Sequence, residues 1–264
     1  MDLGCETIQI FVKNNNQWNG KPLVDEEVEA FRNARQASPI GPVVAHASYL
    51  INLAALNPET LEKSRVSLTD ELDRCDRLGL DGLVLHPGAH VGAGETAGID
   101  LVARSLDAVL SKTRGSTPVL LENTAGQGTV LGHDLAQLAE IIERCEHSSR
   151  LGVCLDTCHA FAAGYAVHEP DGYDSFWEEV EATVGLAAVR CLHLNDSLKP
   201  LASRRDRHAN AGSGEMGEEV FRRLMNDPAL ARVPMILETP RGEDGEGHRR
   251  DLDLLRRLRE TGVS

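Results

Sequence analysis

The feature that most constrains this chain is a repeated alternation of short apolar runs with longer amphipathic stretches. Runs rich in Val, Ile and Leu occur at Thr7–Val12, Val43–Ala47, Gly82–His86, Pro118–Glu122, Gly152–Asp156, Val189–Leu194 and Met235–Glu238. Such runs, a few residues long and β-branched, read as buried strands. Between them lie helix-like segments at Asp25–Gln36, Pro58–Leu78, Ile99–Lys112, Leu135–Glu146, Ser175–Val184 and Glu218–Met225, and His248–Glu260 closes the chain. Asn57 before Pro58, and Asp174 ahead of an acidic first turn, are the expected helix starts. Strand–helix alternation at this spacing predicts a parallel sheet, either open and doubly wound or closed into a barrel.

Two observations favour closure. No Gly-x-Gly-x-x-Gly turn and no Walker loop follows any of the strands, which disfavours a nucleotide-binding open sheet. The repeat also runs through all 264 residues without a linker or a change of composition, and one α/β barrel takes about 250 residues. The expectation is α/β, a single (β/α)8 barrel domain over residues 1–264. Seven strands are legible rather than eight, and the first begins close to Met1. We therefore expect an N-terminally truncated domain whose first barrel strand lies upstream of the present start. A sheet missing that strand would leave two open edges.

The polar residues fall at equivalent places. His46, His86, Glu122, Asp156, His193 and Glu238 lie at or near the C-terminal ends of successive strands. His159 follows three residues after Asp156, and the loop beyond His193 adds Asp206 and His208. In a (β/α) barrel these strand ends meet on one face, where active sites form. A lone histidine there is usually a hydrogen-bonded structural residue, and a lone buried acid is usually paired with Arg or Lys. Nine such groups in one barrel mouth would carry a large desolvation cost, which bound divalent cations relieve. Histidines mixed with carboxylates suit zinc, and manganese also occupies such sites. Nine ligands exceed the roughly four that one zinc takes, so they point to a cluster that activates water for phosphoryl chemistry.

The net charge of −14 argues against a surface built for nucleic acid, although bound cations would offset it locally. The six cysteines are scattered with no C-x-x-C pair, as expected of free thiols in a reducing cytosol. No basic-then-apolar leader and no apolar run near 20 residues is present, so a cytoplasmic protein without a membrane span is expected.

The strings HASYLINL (His46–Leu53), HPGAH (His86–His90), LENTAGQG (Leu121–Gly128), GVCLDTCHAFAAGY (Gly152–Tyr165), HLNDS (His193–Ser197), DRHANAGSG (Asp206–Gly214) and ILETP (Ile236–Pro240) resemble endonuclease IV, the zinc-dependent apurinic/apyrimidinic endonucleases of base-excision repair. The resemblance runs from about Gln9 to the C-terminus, and its motifs are long and in order. It implies a monomer acting on double-stranded DNA that contains abasic sites, with a centre of three zinc ions. The first ion would be held by His46, His86 and Glu122; the second by Glu122, Asp156, His193 and Glu238; the third by His159, Asp206 and His208. It further implies attack of activated water on the phosphorus 5′ to the abasic sugar, leaving a 3′-hydroxyl. Glu122 and Glu238 are the catalytic candidates, with Glu238 orienting or deprotonating the water.

Tyr49 resembles the family's DNA-penetrating tyrosine, and Lys13, Asn14, Asn16, Gln17 and Trp18 its first DNA-recognition loop. His90, Asn123, Gln127 and Arg207 are phosphate-contact or ligand-orienting candidates. Asn16 stands where the resemblance would place an inserting arginine, and Ser213 where it would place an acid. Two other readings stay open. A sugar isomerase or epimerase on a related barrel would need only Glu122, Asp156, His193 and Glu238, and an inactive zinc-stabilised DNA-binding relic would bind without cutting.

Overall fold

A computed structural model describes residues 3–259. Seven strands form one parallel sheet in the order β1 (Ile8–Ile10), β2 (Val43–His46), β3 (Gly82–Leu85), β4 (Val119–Glu122), β5 (Leu151–Asp156), β6 (Val189–His193) and, after a small hairpin, β9 (Met235–Ile236). The hairpin pairs β7 (Asp196–Ser197) with β8 (His208–Ala209). Around the sheet run α1 (Asp25–Ala37), α2 (Pro58–Leu78), α3 (Glu95–Leu110), α4 (Leu135–Arg144), α5 (Thr157–Ala163), α6 (Pro170–Thr183), α7 (Glu219–Asn226) and α8 (Glu246–Leu258). The sheet curls into a nearly closed barrel. Its two end strands come close enough for the Gln9 amide of β1 to donate to Glu238, just beyond β9, at 2.6 Å.

The strands read as unbroken apolar runs because both faces are covered. Alternation along each strand then divides the core in two. Val43, Ala45, Leu83, Leu85, Val119, Leu121, Val153 and Leu155 join a large cluster with the surrounding helices. Val44, Val84, Leu120, Cys154, Cys191 and Ile236 form a separate buried cluster inside the barrel. Each of these six stands two residues before one of His46, His86, Glu122, Asp156, His193 and Glu238. One strand period therefore carries the chain from an apolar floor to a polar mouth.

Helix α2 keeps the expected bounds. The Asn57 side chain accepts from the Thr60 N–H, Pro58 occupies the first turn, and Gly79 ends the helix in a left-handed conformation at φ 73°. Elsewhere the structure corrects the boundaries. Helix α3 begins at Glu95 rather than Ile99, because its first turn, Glu95–Gly98, is mostly solvent-facing and adds nothing to the apolar stripe. Helix α6 begins at Pro170, so Asp174 lies inside it and pairs with Arg223 at 2.8 Å instead of capping. Strand β9 ends at Ile236, since the Glu238 N–H is taken by the Asn195 side chain at 2.8 Å. Residue Glu260, the expected end of the last helix, lies outside the described residues. Helix α5 and the β7–β8 hairpin were not foreseen. All six cysteines are free thiols. Among the described residues no helix is long and apolar enough to cross a membrane.

Candidate metal centre

The C-terminal ends of β2–β6 and the segment after β9 open on one cavity of about 280 Å³, lined by His46, Tyr49, His86, His159, Asp206, His208 and Glu238. Glu122 lies at its base, fully buried at the end of β4. Its two oxygens face four imidazoles. Oε2 is 3.1 Å from His46 Nε2 and 3.0 Å from His86 Nε2. Oε1 is 2.9 Å from His193 Nδ1 and 3.3 Å from His159 Nδ1.

Three adjoining donor sets result, the first two sharing Glu122, each with its donor atoms within 4.8 Å of one another: His46, His86 and Glu122; Glu122, Asp156, His193 and Glu238; and His159, Asp206 and His208. The family resemblance implies the same groupings, and the structure brings their side chains within ligand distance of one another. Asp206 binds the third set together, with Oδ2 3.2 Å from His159 Nε2 and Oδ1 3.1 Å from His208 Nε2. Two further sets bring in sulfur: Cys154 and Cys191 with His193, and Cys158 with Asp156 and His208. The sequence reading had singled out no thiol near the centre.

Local structure explains the placement. Asp156 ends β5 and caps α5, accepting from the His159 N–H at 2.8 Å, so one turn of helix lifts His159 over the mouth. The β7–β8 hairpin carries Asp206 and His208 back toward the barrel, and His208 Nδ1 meets the Glu238 carbonyl at 3.2 Å. The loops after β2 and β3 are joined by Asn52, which donates to the Ala89 carbonyl and accepts from the Ala89 N–H, both at 3.0 Å. Gly88, at φ 119°, fits there because a Cβ would meet Asn52 Oδ1 at 2.3 Å.

Electrostatics test whether these residues fit a cation. Burial would push the histidines down, but the carboxylates outweigh it. Asp156, Asp206 and Glu122 hold His159 well above the ordinary range, and Glu238 and Glu122 do the same for His193. Asp156 and Asp206 raise His208 to about 9. Burial raises Glu122, yet His193 and His86 bring it well below the usual carboxylate range, and Asp206 falls for the same reason beside His159 and His208. The cluster thus draws positive charge to itself. Divalent ions satisfy the demand that protons on imidazole meet otherwise, and the mixed nitrogen–oxygen donor set suits zinc. His208 Nε2 is buried without a hydrogen bond of good geometry, so its lone pair is open to a cation.

The remaining sequence candidates divide. Tyr49 stands on the rim, 54% exposed, with its ring 5.2 Å from that of His46. Gln127 is exposed and lines an adjoining cavity with Tyr49, His86 and Asp206. Asn14, Asn16, Gln17 and Arg207 are exposed, and Trp18 is half-buried. The structure corrects the expectation for Lys13. Its ammonium is buried between Glu71 at 3.1 Å, the Ser67 hydroxyl and the Trp18 carbonyl, so its charge anchors the loop internally instead of facing solvent. Asn123 is turned inward and takes the ligand-orienting alternative, clamping the Asp156 backbone by bonds of 2.6 and 3.1 Å. His90 holds its own loop, accepting from the Gly94 N–H at 3.1 Å.

Three residues at the mouth had been missed. Asn195 donates to Asp156 Oδ2 at 2.5 Å and accepts from the Glu238 N–H, and Thr157 accepts from the Asn195 N–H at 3.0 Å. Gln9 contacts both His193 and Glu238. Asn195 sits in the HLNDS string and Thr157 in the GVCLDTCHAFAAGY string, beside Asp156, and both could be sought there; nothing local marks Gln9.

Residues 1–258 match the family described as a xylose isomerase-like TIM barrel. The chain is 51% identical over 257 residues to "Probable endonuclease 4" of Chloroflexus aurantiacus, covering 97% of this chain and 90% of that protein. It is 52% identical over 259 residues to the protein of the same name from Nitratidesulfovibrio vulgaris, covering 98% and 92%. The crystal structure of endonuclease IV from Thermus thermophilus superposes with a TM-score of 0.84 at 39% identity, covering 97% of this chain and 90% of that one.

Proposed function

Because the chain belongs to the endonuclease 4 family of xylose isomerase-like TIM barrels, we propose that it is a DNA-repair endonuclease that hydrolyses the phosphodiester bond 5′ to an abasic site and leaves a 3′-hydroxyl. The observation that carries the reading is the convergence of nine imidazole and carboxylate side chains into three adjoining donor sets, two of which share Glu122. These residues would hold up to three divalent ions, with Glu122 available to the first two sets; zinc is the reading proposed, and manganese suits the same donors. When bound, such ions supply Lewis acidity to the phosphoryl oxygens and lower the pKa of water.

The chain's own residues do the rest. Glu238 directs Oε2 into the cluster while Oε1 is held by Gln9, a posture suited to orienting a water and accepting its proton. The water oxygen bonds to phosphorus, the bond from phosphorus to the 3′-oxygen breaks, and that oxygen leaves as the 3′-hydroxyl once protonated. Tyr49, exposed on the rim, is the candidate for penetrating the duplex and helping to hold it open as the abasic nucleotide is turned out. Burial raises the Tyr49 hydroxyl to about 12. Gln127, Arg207 and the exposed residues Asn14, Asn16 and Gln17 are the candidate duplex contacts, joined by Arg204 and Arg205, exposed on the same loop as Arg207. A sugar isomerase would need one four-ligand set; the two sets beyond it support the nuclease reading.

The test is incision of a duplex oligonucleotide bearing one synthetic abasic site, with and without a strong chelator. The expected result is chelator-sensitive cleavage on the 5′ side by protein holding close to three ions. One ion per chain and no incision would turn the assignment toward the isomerase. Three ions and binding without incision would mark a zinc-stabilised DNA-binding protein.

A further inference from the structure

His193 presents Nδ1 to the carboxylates of the second donor set: Glu122 Oε1 at 2.9 Å, Glu238 Oε2 at 3.3 Å and Asp156 Oδ2 at 3.8 Å. Its other ring nitrogen, Nε2, meets Gln9 Oε1 at 2.9 Å. The same carboxamide donates from Nε2 to Glu238 Oε1 at 2.6 Å. Gln9 comes from β1, at the opposite end of the sheet from β9, so one side chain spans the barrel's two ends at the level of the ligands.

The donor and acceptor inventory makes this bridge directional. A carboxylate only accepts, so the amide must turn its NH2 toward Glu238. That leaves only its carbonyl oxygen for His193, and a carbonyl oxygen only accepts. Nε2 must then carry a hydrogen, and the lone pair available for an ion is on Nδ1. The orientation of one amide thus determines which nitrogen of a neighbouring ring can act as a ligand. The non-liganding nitrogen of a metal-bound histidine commonly donates to such an oxygen, which holds the ring's tautomer and angle.

We propose that Gln9 is a positioning residue of the metal centre: it selects the Nδ1-liganding tautomer of His193 and tethers Glu238 in the same bridge. The inference rests on the metal reading above, narrowed to one donor set. It predicts a selective effect, because the set of His159, Asp206 and His208 receives no contact from Gln9.

The experiment is chelator competition on the purified zinc-loaded protein, counting ions retained per chain, for wild type, Gln9→Met and Gln9→Glu, with thermal unfolding of each. Gln9→Met keeps the length of the side chain and removes both bonds. One ion per chain should weaken about 10–100-fold while the others keep wild-type affinity. Gln9→Glu can still accept from His193 but cannot donate to Glu238 and sets a second carboxylate against it, so its effect should again fall on one ion and not on the others. The inference is overturned if all ions weaken together in step with the melting temperature, or if none moves. Should Gln9→Met fail to fold, Gln9→Glu alone decides by the same criterion. Wild-type ion count and incision, measured alongside, report on the nuclease reading itself; only the difference between wild type and the Gln9 variants reports on this residue.

Discussion

The mouth and the floor of the barrel are built by the same strands, facing the same way, one strand period apart. Val44, Val84, Leu120, Cys154, Cys191 and Ile236 make a layer at most 6% exposed. Two residues further along each strand stand His46, His86, Glu122, Asp156, His193 and Glu238. The floor satisfies itself by packing. The mouth does not: its buried carboxylates and imidazoles leave a demand for cationic charge, visible in raised histidines and lowered acids. A protein can hold such a layer only where the layer beneath is rigid and dry, and where a ligand completes it. Stability and chemistry should therefore separate between the two layers.

The sharpest way to break that comparison is Glu238→Gln. It is nearly isosteric and removes charge where the water must be activated, so single-turnover incision should fall about 10²–10⁴-fold with the duplex still bound. Near-wild-type cleavage would remove Glu238 from its role. In the floor the order reverses. Leu120→Ala, two residues before Glu122 and fully buried, should lower unfolding free energy by about 2–5 kcal/mol in denaturant titration. It should leave the number of bound ions unchanged. Loss of an ion from a folded Leu120→Ala protein would show that the layers are not separable.

The rim gives the smallest effect. Tyr49→Ala removes an exposed ring, so stability should move by no more than about 0.5 kcal/mol. Affinity for a duplex with an abasic site should fall by about 1–3 kcal/mol if the ring stacks on the nucleotide. Unchanged affinity would make Tyr49 a packing partner of His46 and Phe11, whose rings lie 5.2 and 5.8 Å from it.

Which residues could be read early follows the range of the interactions. Strand runs and helix caps are local, so the bounds of α2 and the positions of the strands are visible in the chain. The nine ligand candidates were visible too, because parallel strands bring their C-terminal ends to one place whatever the intervening sequence. Helix α5 escaped because it is one short apolar continuation of β5, with Asp156 serving at once as strand end, cap and ligand candidate. Lys13 was misread because a lysine in a polar loop ordinarily faces water, and its partners Ser67 and Glu71 lie more than fifty residues away.

By itself, then, the sequence determined the class of fold, the face on which the site forms and the chemistry of its donors, since these depend on residue type and a period of two. The tertiary structure alone decided which nitrogen of His193 faces the carboxylates, which oxygen of Glu238 is tethered, and that Asn123 and Lys13 turn inward. Those choices are polar contacts of about 3 Å between residues distant in sequence, as far apart as Gln9 and His193, and they exist only once the chain has folded.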